Sequence, residues 1–294
     1  MHITSPLLWV AALVTPGLSQ ITLGTAAPYG ALAETGITNA GLTVITGNIG
    51  TTGASINGFP PGIATGTTKA ATPDVFQARA DAHTAYTTAN GLTGGIDSTD
   101  SSELGGRILT AGIYKYTSGV SLHGVLTLDG AGRSDGTWVF QIGSTLVTGA
   151  LASVNLINGA SACNIFWAVG SSATIGLKSA FAGNILAFAS INLALGASNN
   201  GGLHAGAAVT LSSNRIAAPT CISLGSRATA SLSLTQAAET TSVAKPTSTP
   251  SSKTTLVTSI VKPTSVSAST SQKHTSASKS KVAEPTSYGY GYGY

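Results

Sequence analysis

Between Gly136 and Asn214 the chain is a succession of short apolar runs, each closed by a small or polar residue. Asn164, Gly170, Gly176, Gly183, Ser190 and Gly196 interrupt the runs every five to eight residues. Runs of that length bounded by turn residues predict strands, whereas a spanning helix needs about 20 predominantly apolar residues in succession. The runs also recur. "QIGSTLVTG" from Gln141 aligns with "AVGSSATIG" from Ala168, and "NIFWAV" from Asn164 aligns with "NILAFA" from Asn184. Strand-sized pieces that repeat without helices between them predict the coils of a parallel β-solenoid.

Three strand stacks follow from that register. The first contains Thr137–Gly143, Asn164–Gly170 and Asn184–Ser190; both alternating faces of these segments are apolar, so both sides should be covered. The second contains "VSLHG", "STLVTG", "SATIG", "SINLALG" and "AVTLS". The third contains "GVLTLDG", "ASVNLING", "SAFAGN" and "ASNNGG". In the third stack Leu126, Leu128, Val154, Leu156 and Phe181 should point inward. That leaves Thr127, Ser153, Asn155, Ala180, Ala182, Ser198 and Asn200 pointing out.

One segment has helical spacing instead. From Thr72 as N-cap and Pro73 at the first helical position, Val75, Ala78, Ala82, Ala85, Ala89 and Leu92 recur at intervals of 3 and 4. A helix over about 73–91 is predicted, closed by Gly91 and Gly94. Its stripe is mostly Ala, so it can lie close to a flat surface, and the uncovered side of the first stack is the place for it.

The two ends differ from this pattern. Residues 1–20, with the apolar run Leu7 to Val14 followed by Pro16 and small residues, read as a secretory signal peptide. Residues 237–294 are rich in Ser, Thr, Lys and Pro, with "KPTS" at Lys245 and Lys262, "EPTS" at Glu284 and a closing "YGYGYGY". Such a composition reads as a disordered, glycosylatable stalk. The folded domain is therefore expected over residues 21–236.

The division changes the meaning of the charge. The formal net charge of +4 lies wholly in the stalk, where six Lys face Glu239 and Glu284, while residues 21–236 carry eight basic and eight acidic residues. The folded part has no basic footprint for nucleic acid. Two cysteines, Cys163 and Cys221, most simply form one disulfide in a secreted chain, with two buried free thiols as the other reading.

Candidate chemistry is sparse. His83, His123 and His204 have no metal-ligand spacing, and neither H-x-H, H-E-x-x-H nor G-x-S-x-G occurs. "GAGRSDG" at Gly130 precedes a strand, so it reads as a turn and not as a phosphate loop. Asp97, Asp100 and Glu103 lack the order of a calcium loop. A solenoid polysaccharide enzyme would need clustered carboxylates along a groove, and the strands of the three stacks carry almost none. What remains is a wall of small hydroxyls, amides and methyls, suited to ordering water on a repeat set by the strand spacing.

"LGTAAPYGALAETGITNAGLTVITGNIG" at Leu23, "ELGGRILTAGIYKYTSGV" at Glu103, "WVFQIGSTL" at Trp138, "NIFWAVGSSATIG" at Asn164 and "SAFAGNILAFASI" at Ser179 resemble the DUF3494-type ice-binding proteins of fungi and bacteria. The resemblance runs from about Ile21 to Ile216. It implies a mainly β fold: a discontinuous right-handed parallel β-solenoid of triangular cross-section with one long α-helix packed alongside. It also implies adsorption to ice through one flat face, without catalysis, metal or cofactor. Carried over by position, that face is the third stack: Thr127, Ser153, Asn155, Ala180, Ala182, Ser198, Asn200, Ser212 and Asn214. Thr43, Ser55 and Asn57 of the N-terminal coils are further candidates. Where similar sequences read "TGATLNG", this one reads "LGASNNG", with Leu195 at a Thr position and Asn199 at an inward one; Arg215 falls beside the last rung.

The reading is a secreted, monomeric, non-enzymatic ice-binding protein whose partners are ice and ordered water, with a tail able to meet cell-wall glycan. Nucleic acid and membrane are not expected partners. A cell-wall structural or adhesive protein on the same fold is the alternative, and a solenoid polysaccharide-degrading enzyme the third.

Overall fold

The computed structural model describes residues 21–219 and Cys221. The signal peptide and the stalk read from the sequence lie outside the described residues. Among the described residues the chain forms three parallel sheets of nine, seven and eight strands and one long helix. Each complete coil contributes one strand to each sheet in turn. Trp138–Ile142 enters the nine-stranded sheet, Leu146–Thr148 the seven-stranded and Ser153–Ile157 the eight-stranded. The three predicted stacks are these sheets, and the register pairs Trp138 with Ile165 and Ser153 with Ala180.

The coils do not stack in chain order. Tyr29–Ala33 lies between Leu203–Ala205 and Asn48–Thr51. Gly36–Ala40 lies between Ala208–Ser212 and Ser55–Asn57, and Val44–Thr46 between Arg215–Ala217 and Ile63–Ala64. The first coils of the chain thus continue the stack beyond its last ones. The helix then returns the chain to the opposite end, where Ile96–Asp97 forms the far edge of the nine-stranded sheet.

The helix runs Pro73–Gly91, about 28 Å at 1.5 Å per residue. Val75, Ala78, Ala82, Ala85 and Ala89 are buried against Leu32, Val139, Phe166, Ala168 and Leu186, as the spacing predicts. Small alanines let the helix lie close to the sheet, so no second apolar layer is needed. Polar contacts fix its position along the solenoid. The Gln141 amide donates to the carbonyls of Ala89 and Leu92, each at 2.8 Å, satisfying acceptors that a helix C-terminus leaves free. Asp81 accepts from the backbone N–H and the hydroxyl of Thr25, both at 2.7 Å. Thr72 occupies the N-cap position with extended dihedrals, but its side chain makes no cap hydrogen bond.

Inside the coils the rings of Tyr114, Phe140 and Trp167 stack at centroid distances of 5.5 and 3.9 Å, and Phe181 tilts against Trp167 at 4.8 Å. The buried indoles also find acceptors, Trp138 at the Leu109 carbonyl (3.1 Å) and Trp167 at the Ala182 carbonyl (2.9 Å). Cys163 and Cys221 are joined by a disulfide across a sequence separation of 58.

The open end of the seven-stranded sheet is closed by one carboxylate. Glu103 bridges to Ser121 and accepts from the Ser121 hydroxyl (2.8 Å), the backbone N–H of His123 (2.8 Å) and that of Gly105 (2.7 Å), with His123 Nδ1 at 2.7 Å. Burial alone would raise its pKa; the hydrogen bonds from His123, Gly105 and Ser121 outweigh burial and lower it from 4.5 to about 2. A carboxylate depressed in the folded state stabilises the protein above its unfolded pKa and loses that contribution as pH falls through the folded value. Glu103→Gln should therefore lower the thermal midpoint at pH 6, and the gap to the unaltered protein should close between about pH 4.5 and pH 2. A gap that stays constant over that range would exclude the carboxylate as its source.

Candidate functional site

The helix covers the nine-stranded face, leaving two faces of the solenoid open. On the seven-stranded face, alternation turns outward the middle residue of each short strand, and in Ser55–Asn57 the two end residues. Register aligns these residues in one row: Ser121, Val147, Thr174, Asn192, Thr210, Thr38 and Asn57. Six inter-strand steps make the row about 29 Å long at ~4.8 Å per step. Asn192, Thr210, Thr38, Asn57 and Val147 are exposed, and Ser121 and Thr174 half-buried. Gly36, Ala208 and Ser55 share a flanking column, and Ala40 and Ser212 pair on the other side. No Asp, Glu, Lys or Arg occurs in the strands of this sheet.

The eight-stranded face is less even. Thr127, Ser153, Asn155, Ala180, Ala182, Ser198 and Asn200 all lie on it, as expected. They do not form one exposed plane. Asn155, Ala180 and Asn200 are exposed, but Ala182 is only 5% exposed and belongs to the core. Only Ser153 and Ala180 are in register between those two rungs. Arg215 stands exposed in the same column, paired with Ser198 on one side and Val44 on the other. Exposed Ile63, Ile108 and Val125 add bulk along the face.

The remaining expected positions fall elsewhere. Ser55 and Asn57 do point out, but from the seven-stranded face. Ser212 also belongs to that sheet. Thr43 and Asn214 are buried at the corner between the two open faces. Thr43 donates to Asn39 and accepts from the backbone N–H of Asn214 at 3.0 Å. The Asn214 amide donates to Ala194 at 2.8 Å and Ala197 at 3.0 Å. The backbone turns there and strands carbonyls that no sheet can use, so inward amides take them. Asn199 does the same at another corner, donating to the carbonyls of Gly201 (2.9 Å) and Gly183 (3.3 Å). Lys178, the one charged residue between Gly136 and Asn214, is an exposed corner residue at φ 51° between the two open faces.

No group of three or more His, Cys, Asp or Glu arranged to hold a metal occurs among the described residues. Residues 31–217 match the family described as Ice-binding-like.

The chain belongs to the ice-binding-like family.

Members of that family resemble it across kingdoms. An ice-binding protein of Nostoc sp. (strain HG1) is 43% identical over 197 residues, covering 66% of this chain and 72% of the relative. Ice-binding protein K3-B1 of Typhula ishikariensis is 35% identical over 200 residues, covering 60% and 81%. Among solved structures, an ice-binding protein from the Antarctic ascomycete Antarctomyces psychrotrophicus superposes with a TM-score of 0.67 at 50% identity, covering 68% of this chain and 99% of that one. A glycosylated ice-binding protein from an Arctic yeast gives 0.65 at 32% identity, covering 69% and 96%. The ice-binding-like fold seen here, with three parallel sheets and one helix, is therefore shared with proteins of solved structure.

Proposed function

We propose that the folded domain binds ice through its seven-stranded face and so slows ice growth and recrystallisation. The observation that carries this reading is the register-aligned row from Ser121 to Asn57, free of formal charge and composed almost wholly of small hydroxyls and amides. Charged groups hold water tightly and in their own geometry. Uncharged donors and acceptors at a fixed spacing can share a layer of bridging water at little entropic cost. The eight-stranded face, first expected from the sequence, has the same spacing but carries Arg215 in the middle of it.

Export agrees with this role. The N-terminal 20 residues have signal-peptide character, and a disulfide fits an oxidising compartment. The Ser/Thr/Lys/Pro tail adds a means of attachment to a wall or glycan, and it favours a cell-wall adhesive protein as the rival reading. No cofactor or catalytic step is part of the proposal, and the protein acts as a monomer.

The deciding measurement is thermal hysteresis and ice-crystal shape with the purified full chain. Faceted crystals and a gap between melting and freezing are expected. Round crystals with no gap, from a protein shown to be folded, would leave the adhesive role.

A further inference from the structure

Four Asn-Gly pairs occur in the folded domain: Asn57–Gly58, Asn90–Gly91, Asn158–Gly159 and Asn200–Gly201. Such a pair can react with itself. The Gly backbone nitrogen attacks the carbonyl carbon of the Asn side chain, and with no Cβ on the Gly nothing shields that approach. The reaction needs an Asn amide free to turn and a backbone N–H not bonded elsewhere. It also needs a local backbone able to leave its native dihedrals.

Three of the pairs are held. The Gly201 N–H donates to the Ala217 carbonyl at 2.8 Å. The Asn158 side-chain amide donates to the Asp129 carboxylate at 2.9 Å. Asn90 and Gly91 end the helix Pro73–Gly91, where backbone N–H groups are bonded four residues back. The Asn90 carbonyl also accepts from Gln141 at 3.3 Å.

Asn57–Gly58 is not held in any of these ways. Asn57 is exposed, and among the described residues neither its side-chain amide nor the Gly58 N–H makes a hydrogen bond. The Gly58 carbonyl does accept, from the Asn39 amide and the Gly62 N–H, each at 2.8 Å. Those bonds fix the peptide that follows Gly58, not the one whose nitrogen attacks. Ser55–Asn57 is also the terminal strand of the seven-stranded sheet, paired with Gly36–Ala40 on one side alone. An edge strand opens by giving up one set of partners instead of two. The fold nevertheless requires this glycine: Gly58 has φ 80°, and a Cβ there would collide with the Asn39 carbonyl.

We propose that Asn57–Gly58 is a site of spontaneous deamidation in the folded protein. The Gly58 nitrogen bonds to Asn57 Cγ and gives up its proton, the Cγ–Nδ2 bond breaks, and ammonia leaves carrying that proton. Water then opens the five-membered imide at either carbonyl, giving aspartate or isoaspartate. One water is consumed and one ammonia released, with no oxidant or reductant. The product carries a carboxylate, ionised at neutral pH, at the end of a row that otherwise has no formal charge. Isoaspartate also adds a backbone methylene just before Gly58. The open face thus has a slow clock built into its last rung, and its chemistry does not depend on what that face binds.

The test keeps the full chain folded at mildly alkaline pH and digests samples at intervals. Mass spectrometry maps the gain of amide-to-acid conversion to each Asn-Gly peptide, and a parallel sample is kept unfolded in denaturant. In the folded chain Asn57 should convert roughly tenfold or more faster than Asn90, Asn158 or Asn200, each of which must first open a held segment. In the unfolded chain the four rates should converge. Asn57→Gln, whose side chain is one methylene too long for the five-membered ring, should abolish conversion at that peptide and leave the other three rates unchanged. A folded-state rate at Asn57 no faster than at the three held pairs, or the same ranking folded and unfolded, would overturn the proposal.

Discussion

Thr210→Tyr is expected to remove nearly all thermal hysteresis while leaving the protein folded. Thr210 sits near the middle of the exposed row, paired with Asn192 on one side and Thr38 on the other. A phenol there would stand above its neighbours and hold the rest of the face off a flat crystal surface. Because the side chain is exposed, the substitution should change stability by no more than about 0.5 kcal/mol. Asn155→Tyr provides the matched control, an equally bulky group on an exposed position of the eight-stranded face. Full activity in Asn155→Tyr together with its loss in Thr210→Tyr would assign the seven-stranded face. The opposite pattern would return the contact to the eight-stranded face, despite Arg215.

Trp167→Ala should cost about 3–5 kcal/mol, the range for deleting a large aromatic from a packed core. Trp167 is fully buried, stacked on Phe140 at 3.9 Å and flanked by Phe181 at 4.8 Å. Its loss also removes the donor to the Ala182 carbonyl, adding the penalty of an unpaired buried acceptor. Equilibrium denaturation should show a lower midpoint. Phe76→Ala, on the outer side of the helix and 52% exposed, should shift it little. A cost for Trp167→Ala below about 1 kcal/mol would mean that adjacent coils close over the gap, contrary to the rigidity expected of a close-packed interior.

Much of this architecture was legible because the coils are punctuated. Glycines and asparagines at strand ends mark the turns, so the three stacks and their register could be aligned by eye, and the alanine stripe of the helix matched the buried residues found. The discontinuity was not legible from local pattern. Nothing near Tyr29 announces that its strand pairs with Leu203–Ala205, and only the family resemblance implied it. Two of the expected face positions fail on strand parity. Thr43 lies two residues before inward Ile45, and Asn214 two before inward Ile216. Period-2 alternation therefore sends both side chains into the corner, and that signal was present in the sequence. Ser55 and Asn57 flank Ile56, which makes them outward, as expected, but counting strands per coil was needed to place them on the seven-stranded sheet.

The seam where Tyr29–Ala33 meets Leu203–Ala205 also has a bearing on how a ribosome delivers this protein. In a simple repeat array each coil can settle on the one made just before it. Here the coils synthesised first have one flank that only residues 203–217 can fill. Thr43 meets Asn214 across 171 residues, so the nascent chain must keep its opening segment unpaired on that side until translation has passed Ala217. Contacts of such long range slow folding and lengthen the exposure of bare strand edges. The incomplete stack therefore carries a bare strand edge for most of its synthesis.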